Sequence, residues 1–77
     1  MVLYTTPWCG YCHRLKGQLA RANVVFREID IEQDSSAADF VMSVNRGNAT
    51  VPTVVFPDGS VVTNPSIAEV HERLAAV

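Results

Sequence analysis

The stretch from Val2 to Ile31 constrains the fold more than any other part of the chain. Val2-Leu3-Tyr4-Thr5 is rich in β-formers and is stopped by Thr6-Pro7, so it predicts a short strand. A helical pattern follows at once. Tyr11, Leu15, Leu19 and Ala22 recur at helical spacing, while Arg14, Lys16, Gln18 and Arg21 fall mostly on other faces. Asn23 is the predicted stop, and residues 24–31 (VVFREIDI) predict a second strand. Strand, helix and strand in immediate succession make a β-α-β unit. Its crossover is right-handed, so its two strands run parallel.

The rest of the chain extends that unit. Asp34, Ser35 and Ser36 are N-cap residues ahead of an apolar stripe formed by Ala37, Phe40, Val41 and Val44. Asn45-Arg46-Gly47-Asn48 ends this second helix, with Gly47 able to adopt positive φ. Thr53–Phe56 and Ser60–Thr63 flank Pro57-Asp58-Gly59, the signature of a hairpin turn. Asn64-Pro65 reads as an N-cap with proline at the first helical position. The stripe of the third helix is Ile67, Val70, His71 and Leu74. The expected fold class is α/β in the order β-α-β-α-β-β-α, with a four-stranded mixed sheet. The 77 residues are expected to form a single domain over 1–77.

Composition narrows the partners. Net charge is −2 and no basic stripe appears, so nucleic acid is not an expected partner. No apolar run approaches the roughly 18 residues of a membrane span. The start, MVLYTTPW, has neither the charged nor the apolar segment of a secretory signal, so a cytoplasmic location is expected. The 2 cysteines are too few for a disulfide scaffold.

Cys9-Gly10-Tyr11-Cys12-His13 fits three chemistries. A haem attachment site would use both thiols and His13, with Met42 as a distal ligand. That attachment belongs to exported proteins and to pockets built mostly from helices, whereas this chain offers four strand signals. Zinc needs four ligands, and the candidates are Cys9, Cys12, His13 and His71. His13 follows Cys12 directly, which is poor spacing for one tetrahedron. A redox dithiol needs its first cysteine between a strand and the start of a helix, which is where Cys9 falls. Unpaired amides and the positive end of the helix dipole there favour a thiolate. Cys12 lies a turn further along, within reach for a disulfide. Cys9 is expected to be the more exposed, more acidic attacking thiol, and Cys12 the buried resolving thiol. The context favours the redox reading.

Thr5-Thr6-Pro7-Trp8-Cys9-Gly10-Tyr11-Cys12, Val51-Pro52 and Thr63-Asn64-Pro65 together resemble the glutaredoxin branch of the thioredoxin fold, over nearly the whole chain. Within it the motifs are most similar to the mycoredoxins, which work with mycothiol. The segments Ser43-Val44-Asn45-x-Gly47-Asn48, Val51-Pro52-Thr53-Val54 and Asp58-Gly59-Ser60 add to that similarity. The resemblance implies a three-layer thioredoxin/glutaredoxin-like fold and a cis Val51-Pro52 bond facing the thiols. From the residues alone, a trans proline ending a loop is equally open. The resemblance also implies that Val51 offers backbone groups to an extended thiol substrate.

Two positions depart from the glutathione-using pattern. Thr6 stands where many members carry lysine, and Asn64-Pro65 where an acidic residue is common. These changes favour mycothiol over glutathione as co-substrate. Gly10 replaces a common proline, and Tyr11 argues against the thioredoxin branch.

The implied activity is thiol-disulfide exchange on mixed disulfides between client proteins and a low-molecular-weight thiol, by a monomer with no bound cofactor and no metal. A general dithiol donor, such as a reductant of ribonucleotide reductase, is the alternative. A non-catalytic metal or cluster module is a third reading. Substrate-binding candidates are Trp8, Tyr11, Val51, Pro52, Thr63 and Asn64. Trp8 is either a wall beside Cys9 or a packed aromatic. Tyr11 either flanks the thiol groove or joins the helix stripe. Arg14 lies near the active-site turn. The helix start at Thr63-Asn64-Pro65 suits an anion, and Asn64 also caps that helix. Phe26, Phe40 and Phe56 are expected in the core.

Overall fold

The β-α-β unit sets the middle of the sheet. In the computed structural model, which describes residues 1–75, the strands are β1 (Val2–Thr5), β2 (Arg27–Asp30), β3 (Thr53–Val55) and β4 (Val61–Thr63). The helices are α1 (Gly10–Arg21), α2 (Ser35–Val44) and α3 (Ile67–Ala75). The strand order is β2-β1-β3-β4. β1 is parallel to β2, with Val2 opposite Arg27 and Thr5 opposite Asp30. It is antiparallel to β3, with Tyr4 opposite Thr53. β3 and β4 form the expected hairpin, with Thr53 opposite Thr63.

Successive strand residues face opposite sides of the sheet, and this builds two cores. Leu3 and Val54 face α1 and α3, packing with Leu15, Leu19, Phe56 and Val70. Tyr4 and Ile29 face α2, packing with Ile31, Ala37 and Val41. The Tyr4 and Phe40 rings lie 5.2 Å apart between centroids. Three layers result, with α1 and α3 on one side of the sheet and α2 on the other. Phe56 is buried, while Phe26 and Phe40 are half-buried at the edges of the two cores.

Several elements differ from the sequence expectation. The second strand begins at Arg27 rather than residue 24, because the preceding residues close α1. Asn23 takes φ 56°, and the Val24 N–H returns to the Leu19 carbonyl at 3.0 Å. This left-handed closure consumes the backbone that a longer strand would need. The cap of α3 is Ser66, not Asn64. Ser66 Oγ accepts the Glu69 N–H at 3.1 Å, whereas Asn64 sits at φ 49° and donates its N–H to the Pro52 carbonyl at 2.7 Å. Pro65 therefore precedes the helix and is buried. His71 is exposed rather than part of the α3 stripe.

Candidate active site

Cys9 is the N-cap of α1. Its backbone is extended (φ −85°, ψ 112°), and its Sγ accepts the Cys12 N–H at 3.1 Å. An N-cap acceptor is normally a hydroxyl or carboxylate oxygen; here a sulfur takes that place. Before the helix, the Cys9 N–H returns to the Thr6 carbonyl at 3.4 Å. The turn holds both thiols inside the protein, and both are free.

The expected difference in exposure between the two thiols is small. Cys9 is itself buried, at 6% exposure, against 0% for Cys12. Burial pushes the Cys12 thiol up from the ordinary 9.0 to about 12, and the hydrogen bond with the Cys9 sulfur adds to this. A backbone hydrogen bond with Thr6 and the charge of Lys16 act in the opposite direction. The Thr6 hydroxyl is buried without a hydrogen-bond partner.

The loop before β3 forms the opposite wall. The Val51–Pro52 bond is cis. The Cys9 thiol reaches the Val51 carbonyl at 3.8 Å, bringing together residues far apart in the chain. Pro52 is buried and Val51 half-buried. Trp8 is 72% exposed, and its indole N–H donates to Glu32 at 3.3 Å. Tyr11 is 63% exposed and lies outside the core; the buried stripe of α1 is Cys12, Leu15 and Leu19.

A cleft of about 360 Å³ runs from Tyr11 between α1 and the start of α3. Tyr11, Arg14, Gln18, Asn64 and Ser66 supply its polar lining, which contains no carboxylate. Asn64 thus reaches the cleft, but the Thr63 hydroxyl is engaged elsewhere, donating to Asn45 Oδ1 at 2.7 Å. Asn45 also donates to the Val41 carbonyl at 2.8 Å and to Thr53 Oγ1 at 3.1 Å. It ties α2 to β3 and β4 directly behind the Val51–Pro52 loop. Sequence reading places Asn45 at a helix end and carries no sign of this long-range role.

The His13 ring bonds the Pro7 carbonyl at 2.8 Å. Among the described residues, no three His, Cys, Asp or Glu side chains come together as a metal-holding group. No helix among them is long and apolar enough to cross a membrane.

A thioredoxin-like sheet with a paired-cysteine turn capping its first helix, opposite a cis-proline loop, defines a class of thiol-disulfide oxidoreductases. Residues 1–62 match the glutaredoxin family model. A Mycobacterium tuberculosis relative bearing a glutaredoxin name is 53% identical over 77 residues, covering 100% of this chain and 92% of the relative. Mycoredoxin 1 of Corynebacterium glutamicum is 42% identical over 77 residues, covering 100% and 95%. A crystal structure of a thioredoxin-like protein superposes with a TM-score of 0.76 at 31% identity, covering 92% of this chain and 94% of that one. The chain belongs to the glutaredoxin family, and it is a thiol-disulfide oxidoreductase.

Proposed function

We propose that the chain reduces mixed disulfides between client proteins and a low-molecular-weight thiol, with Cys9 attacking and Cys12 resolving. The observation that carries this reading is the 3.1 Å hydrogen bond from the Cys12 amide to Cys9 Sγ. An amide at the positive end of a helix stabilises negative charge on sulfur, as a nucleophile or as a leaving group. The Cys9 thiolate attacks the small-thiol sulfur of the mixed disulfide. A Cys9–small-thiol disulfide forms, and the client thiol leaves. A second small thiol then attacks that bond and frees Cys9. Alternatively, the Cys12 thiolate attacks Cys9 Sγ, closing the internal disulfide and expelling the small thiol.

The exposed Trp8 and Tyr11, the Val51–Pro52 loop and Asn64 are the groups that would position the substrate, with Thr63 acting through Asn45. Mycothiol is the preferred co-substrate. The carboxylate-free lining of the cleft supports an uncharged sugar thiol, since it offers no acid for the ammonium of glutathione. The 42% identical relative is a mycoredoxin by name. No bound cofactor enters the cycle, and a reducing cytoplasm is the compartment that suits it.

The test compares a mycothiol mixed disulfide with its glutathione counterpart as substrates for purified protein. Faster turnover of the mycothiol adduct is expected, and a preference for the glutathione adduct overturns that assignment. Cys12→Ser should retain turnover on mixed disulfides. If it loses as much activity as Cys9→Ser does, the monothiol route is wrong and the general dithiol donor stands.

A further inference from the structure

Cys12 poses a problem for the internal route. Its sulfur is fully buried, with its thiol pushed up to about 12 by burial, yet it must ionise to close the disulfide. The helix start serves Cys9; a backbone hydrogen bond with Thr6 and, after it, the charge of Lys16 favour the Cys12 thiolate.

Lys16 follows Cys12 by four residues on α1, so the two side chains lie on the same face. Lys16 has a partner on the sheet. Its Nζ lies 3.0 Å from Glu28 Oε2 on β2. The same oxygen accepts the hydroxyl of Thr5 on β1 at 2.7 Å. Thr5 is 1% exposed, so the far end of this chain of contacts is anchored in the core. The Thr5 hydroxyl, with help from Lys16, holds the Glu28 carboxyl below its ordinary range and keeps it charged. An ion pair this exposed adds little to stability by itself. What the arrangement does achieve is to hold a cation one helical turn from a buried thiol, on the same face of α1.

We propose that Lys16, held by Glu28 and Thr5, is a positioning residue for the resolving step, stabilising the Cys12 thiolate as it forms. This rests on reading Cys12 as the resolving thiol. In the step, Cys12 Sγ–H releases its proton to water and the thiolate attacks Cys9 Sγ. The Cys9–Cys12 bond forms while the bond from Cys9 to the small thiol breaks. The departing small thiolate carries away the electron pair and takes up a proton. Cys12 is oxidised and the small thiol is reduced. Among the described residues, Cys9 and Lys16 are the titratable groups that act on Cys12. Glu28 acts through Lys16, and His13 acts on Glu28.

The experiment loads Cys9 of the full chain with a small thiol and follows its release by rapid quench between pH 6 and 10. Lys16→Met should slow release at neutral pH by about threefold to tenfold, the scale of one nearby, partly screened charge. It should also move the midpoint of the pH profile upward. Lys16→Arg should restore both, and Lys16→Gln should show the same shift as Lys16→Met. Arg21→Met, which removes a cation from the far end of α1, should leave the profile in place. A Lys16→Met profile that superimposes on the parent overturns the proposal. So does an upward shift that Arg21→Met reproduces. If the Lys16→Met protein does not fold, Lys16→Gln decides by the same criterion. Release that persists unchanged in Cys12→Ser instead overturns the role of Cys12, and that failure is separate.

Discussion

The N-termini of α1 and α2 are built alike and do different things. Cys9 Sγ accepts the Cys12 N–H at 3.1 Å, and Asp34 Oδ1 accepts the Ala37 N–H at 3.1 Å. Both are side-chain caps three residues from their donor. The Asp34 cap is exposed, and its capping atom is a carboxylate oxygen with no redox chemistry. The Cys9 cap is buried, faces the Val51 carbonyl, and has Cys12 beneath it. A helix N-terminus therefore supplies amide donors wherever it occurs. It becomes a reaction centre only where the capping atom can do chemistry and a second element shapes the approach to it.

The comparison is broken most directly by changing the cap atom. Cys9→Ser should keep the helix capped, because a hydroxyl serves that position well. It should nevertheless remove activity by about three orders of magnitude or more, as loss of a covalent nucleophile does. A mixed-disulfide turnover assay and a thermal melt separate the two effects. A Cys9→Ser protein that melts far below the parent would show that the sulfur is structural rather than chemical.

The next effect concerns pH. The Cys12 thiol is raised in the folded state, from 9.0 to about 12. The folded protein thus holds this proton more tightly than the unfolded chain. The associated stability is complete below pH 9.0 and is lost as pH rises toward 12. Melting temperatures of the reduced protein should fall over that window more steeply than those of Cys12→Ala. Parallel curves would remove burial as the cause.

A smaller effect is expected at α3. Ser66→Ala removes a cap that holds no reactive atom, and should cost about 1 kcal/mol in urea unfolding with thiol chemistry unchanged. Asp34 gives the smallest effect. Its carboxyl is held below the ordinary range by the Ser36 hydroxyl first and the Ala37 amide second. The stability it adds is present above the ordinary carboxylate value and is lost as pH falls through the lowered one. Amide exchange at the start of α2 should rise on acidification while that at the starts of α1 and α3 does not.

Local patterns revealed much of the molecule. The Val2–Thr5 strand, the cysteine turn, the α2 cap region and the Pro57-Asp58-Gly59 hairpin are each written in adjacent residues, and each formed where expected. The errors lie where distant backbone groups compete for the same atoms. Val24 bonds back to Leu19 and leaves the strand short, while Asn64 bonds to Pro52 and yields the cap to Ser66. Tyr11 fits a helical stripe, yet Cys12, Leu15 and Leu19 form the buried one. The period was right, but the phase depends on which face the sheet covers.

The amino-acid order by itself determined the element sequence, the parallel β-α-β crossover and the placing of Cys9 at a helix start, because these follow from local sterics, spacing and handedness. Tertiary structure alone decided that Val51 meets Cys9, that Asn45 braces the proline loop, and that Glu28 pins Lys16 near Cys12. Those contacts join residues on separate strands and helices. Their partners are chosen by how the sheet stacks its layers, and no short stretch of chain records that choice.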